Sequence, residues 1–276
     1  MPVRYREGEA NEQDDVQDGS AFRCTLITNM DKLRSMDFEL TGTVALISGA
    51  ARGIGLTVAE ELAREGASVC GTDIRAGLLK DEMQRIAEQY DVETMAVAAD
   101  VGEEEQVVDL VRRVASERGR IDILINNAGI RQVAPIHETT LKTWDDIHSA
   151  NLRGQYLCTR EVLRQSMLDR NEGVIIFVSS GSGRRGEKGS SAYCASKFGV
   201  TGLAESVAKD LKHTKIRTSA IMPGMIWTPM AEESEMADKD VDWLDSRQVS
   251  KAILFCIKQD VDTIIPEIRI YHRSQI

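Results

Sequence analysis

The chain has no surplus of positive charge: lysine and arginine number 34 against 44 aspartates and glutamates, a formal net charge of −10. Phosphate backbones are held by a basic face, so this balance argues against a nucleic-acid partner. Paired cysteines are missing too. Cys24, Cys70, Cys158, Cys194 and Cys256 are scattered, with no Cys-x-x-Cys pair and no Cys/His cluster. That excludes a disulfide framework or a zinc site as the expectation and points to reduced thiols. No apolar run approaches the roughly 18 residues of a membrane span, and the first residues are too polar for a secretory signal. A cytoplasmic protein with no membrane partner and no metal is expected.

What is present is enough for one sizeable domain with a tail. The chain has 276 residues, 42% of them hydrophobic and 28% charged, ordinary values for a globular protein. Residues 7–20 are nearly all acidic, amide or glycine. Such a stretch buries too little apolar surface to offset its ordering entropy, so disorder is expected over 1–36 and one folded domain over 37–276. Inside that domain, short β-branched or apolar runs recur at 44–47, 67–71, 94–98, 121–125, 174–178, 218–221 and 263–270, with no internal repeat. Helical patterns lie between most of them, at 56–64, 77–89, 103–118 and 144–169. Strands alternating with amphipathic helices predict βαβ units: an α/β, doubly wound Rossmann fold with a mostly parallel seven-stranded sheet covered on both faces.

The first strand runs into Gly49-Ala-Ala-Arg52-Gly53-Ile54-Gly55, and a helix follows. Glycines let the backbone turn tightly and approach a pyrophosphate, and the helix N-terminus offers free N–H groups and a positive dipole end. The second strand ends at Asp73. A carboxylate there can accept hydrogen bonds from ribose hydroxyls and repels a 2′-phosphate, which favours NAD(H); Arg52 is the opposing signal, leaving NADP(H) open. Asp100-Val101 closes the third strand and Asn126-Asn127-Ala128-Gly129 the fourth, both where such a sheet places its ligand.

The fifth strand ends at Ser179-Ser180, and Tyr193-Cys-Ala-Ser-Lys197 opens a later helix. Tyr193 and Lys197 are four apart and share a helix face. An ammonium beside a phenol stabilises the phenolate, lowers the tyrosine pKa and fits it for proton transfer near neutral pH. Ser180 could hydrogen-bond the same substrate oxygen.

These motifs resemble the short-chain dehydrogenase/reductase family over roughly residues 40–270. The glycine motif reads Ser48-Gly49-Ala-Ala-Arg52-Gly53-Ile54-Gly55, with serine where the family has threonine. Asn-Asn-Ala-Gly at 126–129, the helix asparagine Asn151, Ser180 thirteen residues before Tyr193, Tyr-x-x-x-Lys, and Pro223-Gly224 followed by Thr228 complete the match. The resemblance implies an NAD(P)-dependent oxidoreductase acting on a secondary alcohol or its carbonyl. Tyr193 would be acid/base and Ser180 would orient the substrate oxygen. Lys197 would lower the Tyr193 pKa and hold the nicotinamide ribose, and Asn151 would support a water leading to Lys197. Thr228 would contact the nicotinamide amide. It also implies a homodimer or homotetramer formed through the helices at 144–169 and 193–212. The C-terminal 263–271 is similar to the branch of broad-specificity hydroxy-acid and aldehyde reductases; the alternatives are an NADPH-dependent carbonyl or aldehyde reductase, an epimerase or dehydratase, and a silent nucleotide-binding regulator. Segment 225–245, with Trp227, Met230, Met236 and Trp243, is expected to cover the substrate. Arg184, Arg185 and Lys188 could attract an anionic one.

Overall fold

Seven short strands, each followed by a chain reversal, pair side by side in a single sheet. They are β1 (Val44–Ser48), β2 (Ser68–Asp73), β3 (Thr94–Ala98), β4 (Ile123–Asn126), β5 (Glu172–Val178), β6 (Lys215–Pro223) and β7 (Glu267–Ile270). Their order is β3-β2-β1-β4-β5-β6-β7, and every pairing is parallel. The computed structural model describes residues 40–232 and 242–276. The expectation for 1–36, and Met36 and Met236 with it, lies outside the described residues.

The longer helices among the described residues are α1 (Gly53–Arg64), α2 (Ala76–Tyr90), α3 (Glu104–Arg118), a long α4 over 141–170, α5 (Ser191–Asp210) and α6 (Ser246–Ile257). A strand buried on both faces reads as an apolar run, as β1 does. Its alternate residues serve two cores. Ala45 and Ile47 join Val58, Leu62, Leu79, Met83, Val249 and Ile253 on one face. Val44 and Leu46 join Val107, Leu110, Leu157, Val162, Val200 and Ala204 on the other. Each buried aliphatic side chain contributes about 1.5–3 kcal/mol, so the strand period of two fixes which helix lies above and which below.

Strand order reverses between β1 and its two neighbours. β2 lies on one side and β4 on the other, so the loops leaving β1 and β4 diverge and open a crevice at their carboxyl ends. Helix α4 passes beneath it and widens into π turns at Ser149–Arg153 and Leu163–Met167. Such bulges are frequent at functional sites, and the first carries Asn151.

Two differences from the sequence pattern have clear physical reasons. The last strand begins at Glu267 rather than 263, because 260–263 closes a turn (Thr263 N–H to Asp260 O, 2.9 Å) and Pro266 has no N–H to give a ladder. Helix α6 was not read from the sequence at all. Its signals are Asp245, whose carboxylate caps Arg247 N–H at 2.8 Å, and Val249, Ile253 and Ile257 at four-residue spacing, all buried.

Candidate active site

The site grows from the ends of β1, β2, β4 and β5. After β1 the chain turns through Gly49, at φ +67°, in the left-handed region glycine tolerates. A Cβ on Gly55 would lie far inside contact with the Gly49 carbonyl, so α1 can start tight against the turn only with glycine there. Three groups pin this loop. The Ser48 hydroxyl accepts from Asn127 N–H (3.0 Å) and Ala128 N–H (3.1 Å). The Asn127 amide donates to the Ser48 and Gly49 carbonyls at 2.9 and 3.2 Å. Buried Asp73 accepts from Ala51 N–H at 3.3 Å. The α1 N-terminus carries no side-chain cap and no acid in its first turn, which leaves its orphan N–H groups suited to an anion.

A cleft of about 1210 Å³ runs over these loops. Gly49, Arg52, Gly53, Ile54, Asp73, Asp100, Val101, Asn127, Ala128, Gly129, Tyr193, Lys197 and Thr228 all line it. Arg75, which sequence reasoning passed over, lines it too and pairs with Asp73 (Arg75 Nη1 to Oδ1, 3.1 Å). The uncapped helix end, the glycine turn and the long cleft fit a dinucleotide.

A second cavity of about 560 Å³ opens beside it, lined by Ser180, Pro223, Gly224, Met225 and Trp243 among others. Tyr193, Arg131, Thr228 and Met230 line both spaces. Tyr193 sits in the first turn of α5 and Lys197 one turn further, as the spacing of four predicts. Burial pushes the Tyr193 phenol above its ordinary pKa, while a hydrogen bond with Ser180 and the nearby Arg131 charge pull it back. Lys197 is buried, and its ammonium is pulled down to about 8 by that burial. It donates to the Val178 carbonyl at 2.9 Å and stands 5.8 Å from the Tyr193 ring centre. The expected depression of the phenol by Lys197 is therefore corrected: desolvation dominates, and Ser180 and Arg131 are the groups that oppose it. Asn151 is fully buried, accepting from Ile130 N–H (2.7 Å) and donating to Ile130 O and the Ser196 hydroxyl (both 3.0 Å). It lines neither cavity and braces the backbone beside Gly129, where a Cβ would come within 3.8 Å of Lys197 Nζ.

Arg131, two residues past the Asn-Asn-Ala-Gly turn, was not singled out in the sequence, although a cation at the carboxyl end of a central strand is itself a signal. Of the three loop cations, Arg185 and Lys188 line the smaller cavity. Arg184 does not: it pairs with Glu205 (2.7 Å) and Glu267 (2.6 Å). In segment 225–245, Trp227 and Trp243 meet edge to face at 5.3 Å, and Met230 and Trp243 face the cavity.

The family model described as short chain dehydrogenase matches residues 43–239. The chain belongs to the short-chain dehydrogenase family. It is similar to gluconate 5-dehydrogenase of Gluconobacter oxydans, 35% identical over 76% of this chain and 81% of that one. It is also similar to a 3-oxoacyl-[acyl-carrier-protein] reductase of Thermotoga maritima, 38% identical over 71% and 78%. Among solved structures, a metagenomic short-chain oxidoreductase in complex with NADP superposes with a TM-score of 0.74 at 28% identity, covering 84% of this chain and 98% of that one. The chain is thus an oxidoreductase of this family, acting on CH–OH groups with a nicotinamide cofactor. Among the described residues, no helix is long and apolar enough to cross a membrane.

Proposed function

We propose that this short-chain dehydrogenase interconverts a small secondary alcohol and its ketone, with Tyr193, Ser180, Lys197 and Asn151 as its working set. The observation that carries this is the position of Tyr193 at the seam of the two cavities, sharing the smaller one with Ser180 and one helical turn from Lys197. A bound nicotinamide dinucleotide supplies or accepts the hydride. In reduction, the Tyr193 hydroxyl gives its proton to the substrate oxygen as that oxygen gains charge, and in oxidation the phenolate takes it back. Ser180 holds the same oxygen by a hydrogen bond, which fixes the reacting carbon. Lys197 offers its ammonium to the ribose, and Asn151 keeps the Ile130–Gly129 backbone in place beneath it. Met230, Trp243 and Ile226 keep water from the smaller cavity. Screening secondary alcohols and ketones with both cofactors at the reduced-nicotinamide absorption band tests this; no turnover across the screen would leave the regulator reading in its place.

Asp73 supports NAD(H) as the preferred cofactor. Its buried carboxylate, fixed by Ala51 N–H and Arg75 N–H (3.0 Å), lies along the same cleft and repels a 2′-phosphate. Arg52 and Arg75 on that cleft are the groups an NADP(H) preference would use. The expected kcat/KM ratio favours NAD(H) by about tenfold or more, and Asp73→Ser narrows it; a tenfold preference for NADP(H) would overturn the assignment.

Self-association is proposed from the exposed apolar side chains of α4 and α5. Trp144, Tyr156, Leu168 and Phe198 are each more than a third exposed, although both helices also bury a core side. Light scattering should give a multiple of 30.6 kDa. A lone monomer at micromolar concentration would refute this.

A further inference from the structure

We propose that Gln155 is a positioning residue that acts through Lys197: its amide keeps the Val178 carbonyl hydrogen-bonded when Lys197 turns its ammonium from that carbonyl to the nicotinamide ribose. This rests on the ribose contact assigned to Lys197 above.

The Val178 carbonyl is an acceptor that the sheet leaves over. Parallel pairing joins Asn126 to Phe177, so the N–H next due at the Val178 carbonyl is that of Ala128. That N–H goes to the Ser48 hydroxyl at 3.1 Å, because β4 ends at Asn126 and the chain turns along the cleft. Two side chains take its place. Lys197 Nζ donates to the Val178 oxygen at 2.9 Å and Gln155 Nε2 at 3.3 Å. Val178 and Lys197 line the larger cleft, whereas Gln155 lines neither cavity. One donor can therefore move into the cleft while the other stays behind it.

Gln155 is out of keeping with its surroundings. It lies four residues after Asn151 on α4 and is 1% exposed, and its neighbours Leu157, Cys158 and Val162 belong to the core. Its Oε1 is buried with no hydrogen-bond partner among the described residues. An unpaired buried oxygen is unfavourable, and Met or Leu would fill a similar volume without one. The carbonyl also sets the amide's orientation, since the opposite one would place oxygen against oxygen. The contribution of Gln155 is thus a second donor on the Val178 oxygen. That oxygen has two donors while Lys197 is on it and one after Lys197 leaves. Without Gln155, release of the ammonium strands a buried carbonyl, and nucleotide affinity falls accordingly.

The test is a fluorescence titration of NADH into the full chain, with thermal melts beside it, for Gln155→Met, Lys197→Met and the double variant. Gln155→Met should bind NADH about five- to tenfold more weakly, the lower range for a buried carbonyl left without a donor. Its unliganded melting temperature should be unchanged or higher, since Lys197 still serves Val178 and the orphan oxygen is gone. In the Lys197→Met background the same substitution should leave affinity unchanged, because no donor then leaves the carbonyl on binding. A passive brace predicts the reverse, a lower melting temperature with unaltered affinity. Unaltered affinity in Gln155→Met, or an equal loss in both backgrounds, would overturn the proposal while the reading of Lys197 stands. Lys197→Met binding NADH as tightly as the unaltered chain would remove that reading and the proposal with it. If Gln155→Met does not fold, Gln155→Leu takes its place; failure of both to fold would make the amide a support of the core and overturn the proposal.

Discussion

Tyr193→Phe is expected to slow the chemical step by at least about 10²–10⁴-fold, the range of a lost general acid–base group. The substitution removes one hydroxyl and almost no volume. The ring still packs between Arg131 and Lys197, at 5.3 and 5.8 Å from its centre, and the nucleotide cleft keeps its glycine turn and Asp73. Folding and nucleotide affinity should survive, so a fluorescence titration with reduced cofactor ought to match the unaltered chain while turnover collapses. The pH profile carries a sign. Burial holds the proton on the phenol more tightly than water would, so the proton-donating direction, reduction, is served at neutral pH. Oxidation needs the phenolate, and its rate should climb as pH rises. Near-normal turnover of Tyr193→Phe with cofactor bound would remove Tyr193 from the chemistry and with it the proposed mechanism.

Lys197→Met is expected to damage function and strengthen the fold at once. Loss of the ammonium should weaken nucleotide binding and slow turnover together, unlike the tyrosine variant. Yet the unliganded chain holds that ammonium at a cost. Its pKa is about 8 in the folded protein against about 10.4 in an unfolded chain. Below pH 8 both states carry the proton and the folded state bears the full penalty. Between 8 and about 10.4 the unfolded chain binds more protons, so stability rises with pH as the penalty disappears. Thermal melts without ligand should show Lys197→Met above the unaltered chain at pH 7, with the gap closing toward pH 10. A variant less stable at pH 7 would mean that the hydrogen bond to Val178 O outweighs desolvation.

Chemistry tied to short, fixed spacings was readable from the residues. Gly49 to Gly55, Asn127 and Gly129, and Tyr193 with Lys197 each sit within one turn or one helical step, so local order brings them to the same cleft. The single sheet with helices on both faces was readable for the same reason, since strand and helix periods are local. Arg131 was not, because its role comes from contacts across the chain. Arg131 meets Glu187 and Ser190 from 56 and 59 residues away. Ser48 looked like a conservative replacement for threonine, and only the meeting of β1 and β4 reveals that its hydroxyl ties two loops together. The pKa of Tyr193 followed the same rule. Spacing places a cation near the ring, but the balance between charge and desolvation depends on everything packed around it.

The seam at Tyr193, Thr228 and Met230 has a thermodynamic corollary. Because one set of side chains walls both spaces, an occupant of the larger cleft changes the shape and field of the smaller, and the reverse holds by the same free energy. Affinity measured for either ligand alone will therefore misstate its affinity in the pair, and by an equal factor on each side. A dead-end acid that tightens the nucleotide must itself be tightened by it, so two titrations in opposite order close a cycle and measure how strongly this shared wall couples the two sites.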